Sequence, residues 1–177
     1  MPEVPARVTK PAVRVVFRCI RDGAVAGVYA GAALIALFFL LDLLRLQPLS
    51  TPVFLSRAIL GPQVEASPGL LAALKLGEIL LLVRNLTTYT LLHLAVFAGL
   101  GIGAAFLFEW LEVPKNVVTG GLYGLVVGPT VFYGGLSIMA GDLLAAPDWR
   151  LVLLGNGVAG VIMIAQLAGR SGDLGVG

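Results

Sequence analysis

Residues 86–108 read LTTYTLLHLAVFAGLGIGAAFLF, a run of 23 residues without an Asp, Glu, Lys or Arg. As a helix rising 1.5 Å per residue it reaches roughly 34 Å, enough to cross a hydrocarbon core of about 30 Å. Such a run constrains the fold more than any other feature, because the rest of the chain must pack around it inside a membrane. Three further stretches are nearly as apolar, 23–44, 117–139 and 150–168, with Asp42 and Arg150 their only such charges. Only 12% of the 177 residues are charged and 58% are hydrophobic, whereas soluble domains carry about 25% charged residues. The composition therefore predicts an all-α integral membrane protein of four transmembrane helices, forming one domain over residues 1–177.

Between the first and second spans, residues 45–85 predict one or two short interfacial helices. Ser50, Thr51 and Pro52 form a start signal, a hydroxyl N-cap followed by Pro at the first helical position, and Gly61-Pro62 stops that helix. Ser67-Pro68 repeats the signal and launches GLLAALKLGEILLLVR. That segment is too short to span alone, and it either lies at the interface or runs on into the second span as one helix over 68–108. Residues 109–116 read as a turn broken by Pro114, and Asp148 is placed to cap the last helix.

Arg7, Lys10, Arg14, Arg18 and Arg21 precede the first span. From Ala12 they alternate with apolar residues, which predicts a short amphipathic helix at the interface. A cation cluster abutting the first span sets orientation by the positive-inside rule, so both termini are expected in the cytoplasm. The first span is too long for a signal peptide and no small-residue cleavage site closely follows it, which makes it an uncleaved anchor. A nucleic-acid reader would not need four spans. Cys19 is the single cysteine, so an internal disulfide and a cysteine metal cluster are excluded.

Small residues recur at four-residue spacing: Gly23, Gly27 and Gly31 on the first span, Gly99 and Gly103 on the second, Gly120, Gly124 and Gly128 on the third. Gly155, Gly157 and Gly160 enrich the fourth. Such ridges let helix backbones approach closely, which matters in lipid, where dispersion and weak hydrogen bonds drive association. They serve either packing within the bundle or a face kept for another protein.

His93, the only histidine, lies two to three turns inside its span, on one helical face with Tyr89 and Phe97. An ionisable group at that depth is costly and often functional. A haem b site across two helices generally takes two histidines. One histidine serves as a hydrogen-bonding group, or as a ligand to a chlorophyll-type pigment or a haem shared with another subunit. Asp42, near the end of the first span, is depth-matched to His93 as a structural tie. Asn156 and Gln166 read as interhelical hydrogen-bond donors. No metalloprotease, phosphate-loop or serine-hydrolase motif occurs, and no span carries paired carboxylates; no enzyme is expected.

The combination LFFLLDLLRLQPLSTPVFLSRAIL and YTLLHLAVFAGLG resembles a group of uncharacterised bacterial four-span membrane proteins. The likeness is carried by Asp42, Pro48, Thr51, Pro52, Tyr89, Thr90 and His93. It implies a bacterial inner-membrane location and no activity. The functional expectation is a non-catalytic accessory or scaffold subunit, packed by glycine faces against other integral membrane subunits of a respiratory or photosynthetic complex. The alternatives are a small transporter or channel formed by oligomerisation, and a pigment- or haem-binding module using His93. No resident cofactor is expected on the first reading, and the partners are lipid and membrane protein.

Overall fold

The structure, a computed structural model, describes residues 10–46, 71–139 and 148–172. They form four helices: α1 (Lys10–Leu44), α2 (Leu71–Trp110), α3 (Val117–Met139) and α4 (Trp149–Gly172). Among the described residues there is no strand. Each helix contains a stretch long and apolar enough to cross a membrane. The expected all-α, four-span class is the class observed.

One boundary differs from expectation. The basic segment after Ala12 is not a separate interfacial helix; it is the first three turns of α1, continuous with the span. Nothing between Pro11 and Leu44 breaks the helix, and Pro11 sits in the first turn, where its missing N–H costs nothing. The segment before the second span takes the second course left open for it and runs on into the span: both belong to α2, which runs 40 residues without interruption, or about 60 Å. Leu, Ala, Lys and Glu dominate its beginning and favour the helix. The first interfacial helix, expected from Pro52, lies outside the described residues.

Helix ends follow local chemistry. Asn116 caps α3: its Oδ1 accepts from the N–H groups of Val118 and Thr119, both at 3.0 Å. Thr119 answers through its hydroxyl, which accepts from the Asn116 N–H at 3.2 Å. Asp148 caps α4 by accepting from the Arg150 N–H at 3.0 Å. At the end of α2, Glu112 takes a left-handed conformation with φ 52°. The Val113 N–H then reaches back to the Phe108 carbonyl at 3.2 Å, the six-to-one bond of a Schellman cap.

The helices pack as two antiparallel pairs, α1 with α2 and α3 with α4, joined across α1 and α4. α2 touches α3 and α4 only sparsely, so much of it faces outward. The core is built from small residues, including Ala26, Ala30, Ala104, Ala105 and Ala159, filled out by Phe97, Phe108, Met163 and Ile164. Most of it sits in the half of the bundle that contains Cys19, Phe108 and Leu167.

Charged residues mark both edges of the apolar slab. Asp22 and Arg170 lie together at one end; Asp42 and Arg150 lie near the other. The helix between Asp22 and Asp42, and that between Arg150 and Arg170, each rises about 30 Å, the thickness of a hydrocarbon core. α1 therefore extends past the Asp22 level, and α2 past the Asp42 level.

Candidate functional site

Three arrangements combine polar or close-packed groups: the glycine seams, the His93 stack and an ion-paired cleft.

The seams come first because they position everything else. A Cβ at Gly27 would collide with the Phe97 carbonyl and lie 2.9 Å from the Ala98 Cα. A Cβ at Gly23 would stand 2.6 Å from the Gly101 carbonyl oxygen, and one at Gly31 2.9 Å from the Phe97 side chain. The α1 ridge thus meets α2 backbone to backbone. On the other pair, Gly124 meets the Asn156 carbonyl and Gly160, Gly120 meets Gly160 and Ile164, and Gly128 meets the Asn156 side chain. Gly160 closes this seam from the α4 side against Gly120 and Gly124.

Gly99 and Gly103 are placed differently. A Cβ at Gly99 meets nothing within 4 Å, and one at Gly103 meets only the Tyr123 hydroxyl at 3.5 Å. The α2 contribution to the inner seam comes from Gly101, which faces Gly23 and Gly27. Gly99 and Gly103, with Ala95 one turn earlier, form an exposed small-residue stripe.

His93 is held in an aromatic stack. Its ring lies 4.7 Å from Phe97 at an interplanar angle of 27° and 5.3 Å from Tyr89 at 39°. The imidazole faces the Gly31 carbonyl of α1, while Nε2 is buried without a hydrogen-bond partner. Asp42 does not meet His93. The antiparallel register, with Gly23 opposite Gly101 and Gly27 opposite Phe97, sets Asp42 opposite the start of the span, well short of His93. Asn156 is not an interhelical donor either: its Nδ2 donates to Val152 of its own helix at 2.8 Å.

The third arrangement, absent from the sequence reading, is a network at the Asp22 edge of the slab. Arg18 donates to Glu109 at 2.8 Å, and Lys115 approaches the same carboxylate at 3.6 Å. Arg21 bonds Asp22 at 2.9 Å, with Arg170 at 3.5 Å from the same oxygen. Together they tie α1, the end of α2, the α2–α3 turn and the end of α4. Between them is a cleft of about 20 Å³ floored by Cys19, Ala105 and Leu167, room for about one water molecule. The available signal was depth: each of these charges stands at the inner edge of its span. Among the described residues, no group of three or more His, Cys, Asp or Glu side chains is arranged to hold a metal ion.

No family model matches the chain, and neither the curated proteins nor the solved structures contain a match. The functional reading accordingly rests on the geometry.

Proposed function

We propose that the protein is a non-catalytic accessory subunit of a larger assembly in the bacterial inner membrane, bound to a neighbouring membrane protein through the outer face of α2. One observation carries this reading. The glycine ridges of α1 and α3 are consumed inside the bundle, but the Ala95–Gly99–Gly103 stripe stands exposed with open space at Gly99. Gly in a helix interior costs about 1 kcal/mol relative to Ala, and at Gly99 no internal contact requires it. In lipid, a stripe of small residues is the surface that allows a second helix to approach closely. The sparse contact of α2 with α3 and α4 leaves room for that approach. The ion-paired end carries Arg14, Arg18, Arg21, Lys115 and Arg170, which supports placing it, with both termini, in the cytoplasm.

The test is site-specific photocrosslinking in the native membrane. A photoreactive side chain at Gly99 should give one discrete adduct above the monomer mass, containing a different membrane protein, and Gly103→Leu should abolish it. A probe at exposed Val126 on α3 should give none. An adduct containing a second copy of this chain would replace the accessory reading with self-association, and lipid adducts alone at Gly99 would remove it.

A further inference from the structure

We infer that Arg18 and Arg170, at the mouth of the ion-paired cleft, bind the phosphate of an anionic phospholipid outside it. Arg18 pairs with Glu109 there, and Arg21 and Arg170 pair with Asp22. Arg170 is the farther of the two, at 3.5 Å. Arg170 Nε is buried without a hydrogen-bond partner, a donor left over once the Asp22 contact is made. Arg18 and Arg170 both line the cleft, and their side chains remain 38% and 37% exposed, so a group at its mouth can reach them. A phosphodiester presents two free oxygens carrying one negative charge, matching the fork of an arginine, and in an anionic lipid no choline ammonium stands beside it to be repelled by the arginines.

Depth selects the source of that phosphate. The cleft lies at the Asp22 level, one edge of a slab about 30 Å thick, where headgroup phosphates reside. Beyond it α1 keeps an apolar stripe, with Phe17 68% and Ile20 41% exposed. That stripe alternates with Arg14, Arg18 and Arg21, the composition of a segment immersed in headgroups instead of water. Basic pockets between spans at the cytoplasmic surface are a recurring form of lipid recognition.

The experiment compares the full-length protein in nanodiscs of phosphatidylcholine with nanodiscs containing phosphatidylglycerol, using lipid retention by native mass spectrometry as the readout. Phosphatidylglycerol should be retained at least about five-fold over phosphatidylcholine, the weight of roughly one basic contact. Arg170→Gln should remove the preference, and Arg170→Lys, which keeps the Asp22 pair but lacks Nε, should reduce it. Arg150→Gln at the opposite end should leave it intact. Equal retention of the two lipids by the wild type, or an unchanged preference in Arg170→Gln and Arg170→Lys, overturns the inference. Millimolar inorganic phosphate that displaces phosphatidylglycerol completely would assign the arginines to free phosphate and overturn the lipid assignment.

Discussion

Gly27 of α1 lies so close to the Phe97 carbonyl of α2 that no side chain fits between the two backbones. The neighbouring atoms are main chain, which cannot rotate aside as a flexible side chain would. Gly27→Leu is therefore expected to force the pair apart and forfeit dispersion along the whole seam, costing at least the 1–3 kcal/mol typical of overpacking, about the scale of losing a good core contact. The loss should appear as a lower unfolding temperature of the isolated monomer in mild detergent. Gly99→Ala, with nothing within 4 Å, should instead be neutral or gain up to about 1 kcal/mol from helix propensity. Equal behaviour of the two variants would contradict the seam.

Much of this packing was legible in sequence, and its shortfall has a geometric cause. Four-residue glycine spacing located the α1 and α3 ridges because backbone approach demands an absent Cβ at every crossing turn. On α2 the same rule picked Gly99 and Gly103, although the face through Tyr89, His93 and Phe97 continues by one more step to Gly101. Spacing cannot tell an inward ridge from an outward one; the aromatic residues on the face can. The length of α1 escaped for another reason. Bilayer thickness limits the apolar run, but nothing in it stops a helix from continuing into water, as α1 and α2 do. The ion network required knowing that four span ends lie side by side, which composition does not encode.

Glu112 offers a test of local strain. It holds φ 52°, a left-handed conformation that costs a non-glycine residue about 1–2 kcal/mol. Glu112→Gly should relieve most of that and raise thermal stability in detergent, since the Schellman bond from Val113 to Phe108 is retained. A loss of stability would show that the carboxylate matters more than the backbone.

For His93, the stack on Phe97 and Tyr89 and the facing Gly31 carbonyl predict a structural role. His93→Gln should assemble normally and lose on the order of 1 kcal/mol, the upper range for an interhelical hydrogen bond. Purified from its own membrane, the variant and the wild type should have the same visible spectrum. A visible band lost in His93→Gln would return the residue to the pigment-ligand reading.

Orientation can be read with cysteines in a Cys19→Ala background. Asp148 is exposed at the capped start of α4 and Asn116 is exposed at the start of α3, on opposite edges of the slab. An impermeant thiol reagent added to intact cells should label Asp148→Cys, and should label Asn116→Cys only after permeabilisation. The reverse pattern would put the ion-paired end outside and invert the topology proposed from the cations.

The α3–α4 seam permits a test by rescue. Asn156 occupies the space a Cβ on Gly128 would need: its Cγ would lie 2.6 Å away and its Cβ 2.7 Å. Its Nδ2 bond to Val152 is local to α4, so the side chain acts across the interface by shape. Gly128→Ala alone should destabilise through overpacking, by about 1–3 kcal/mol, and Asn156→Gly alone by leaving a void and adding a helix-interior glycine. Joined, the added methyl of one enters the space vacated by the other. The double variant should be more stable than the sum of the single losses predicts, with a coupling of about 0.5–3 kcal/mol as found for residues in contact. Strict additivity in a thermal-unfolding cycle would mean that Gly128 and Asn156 do not share this space.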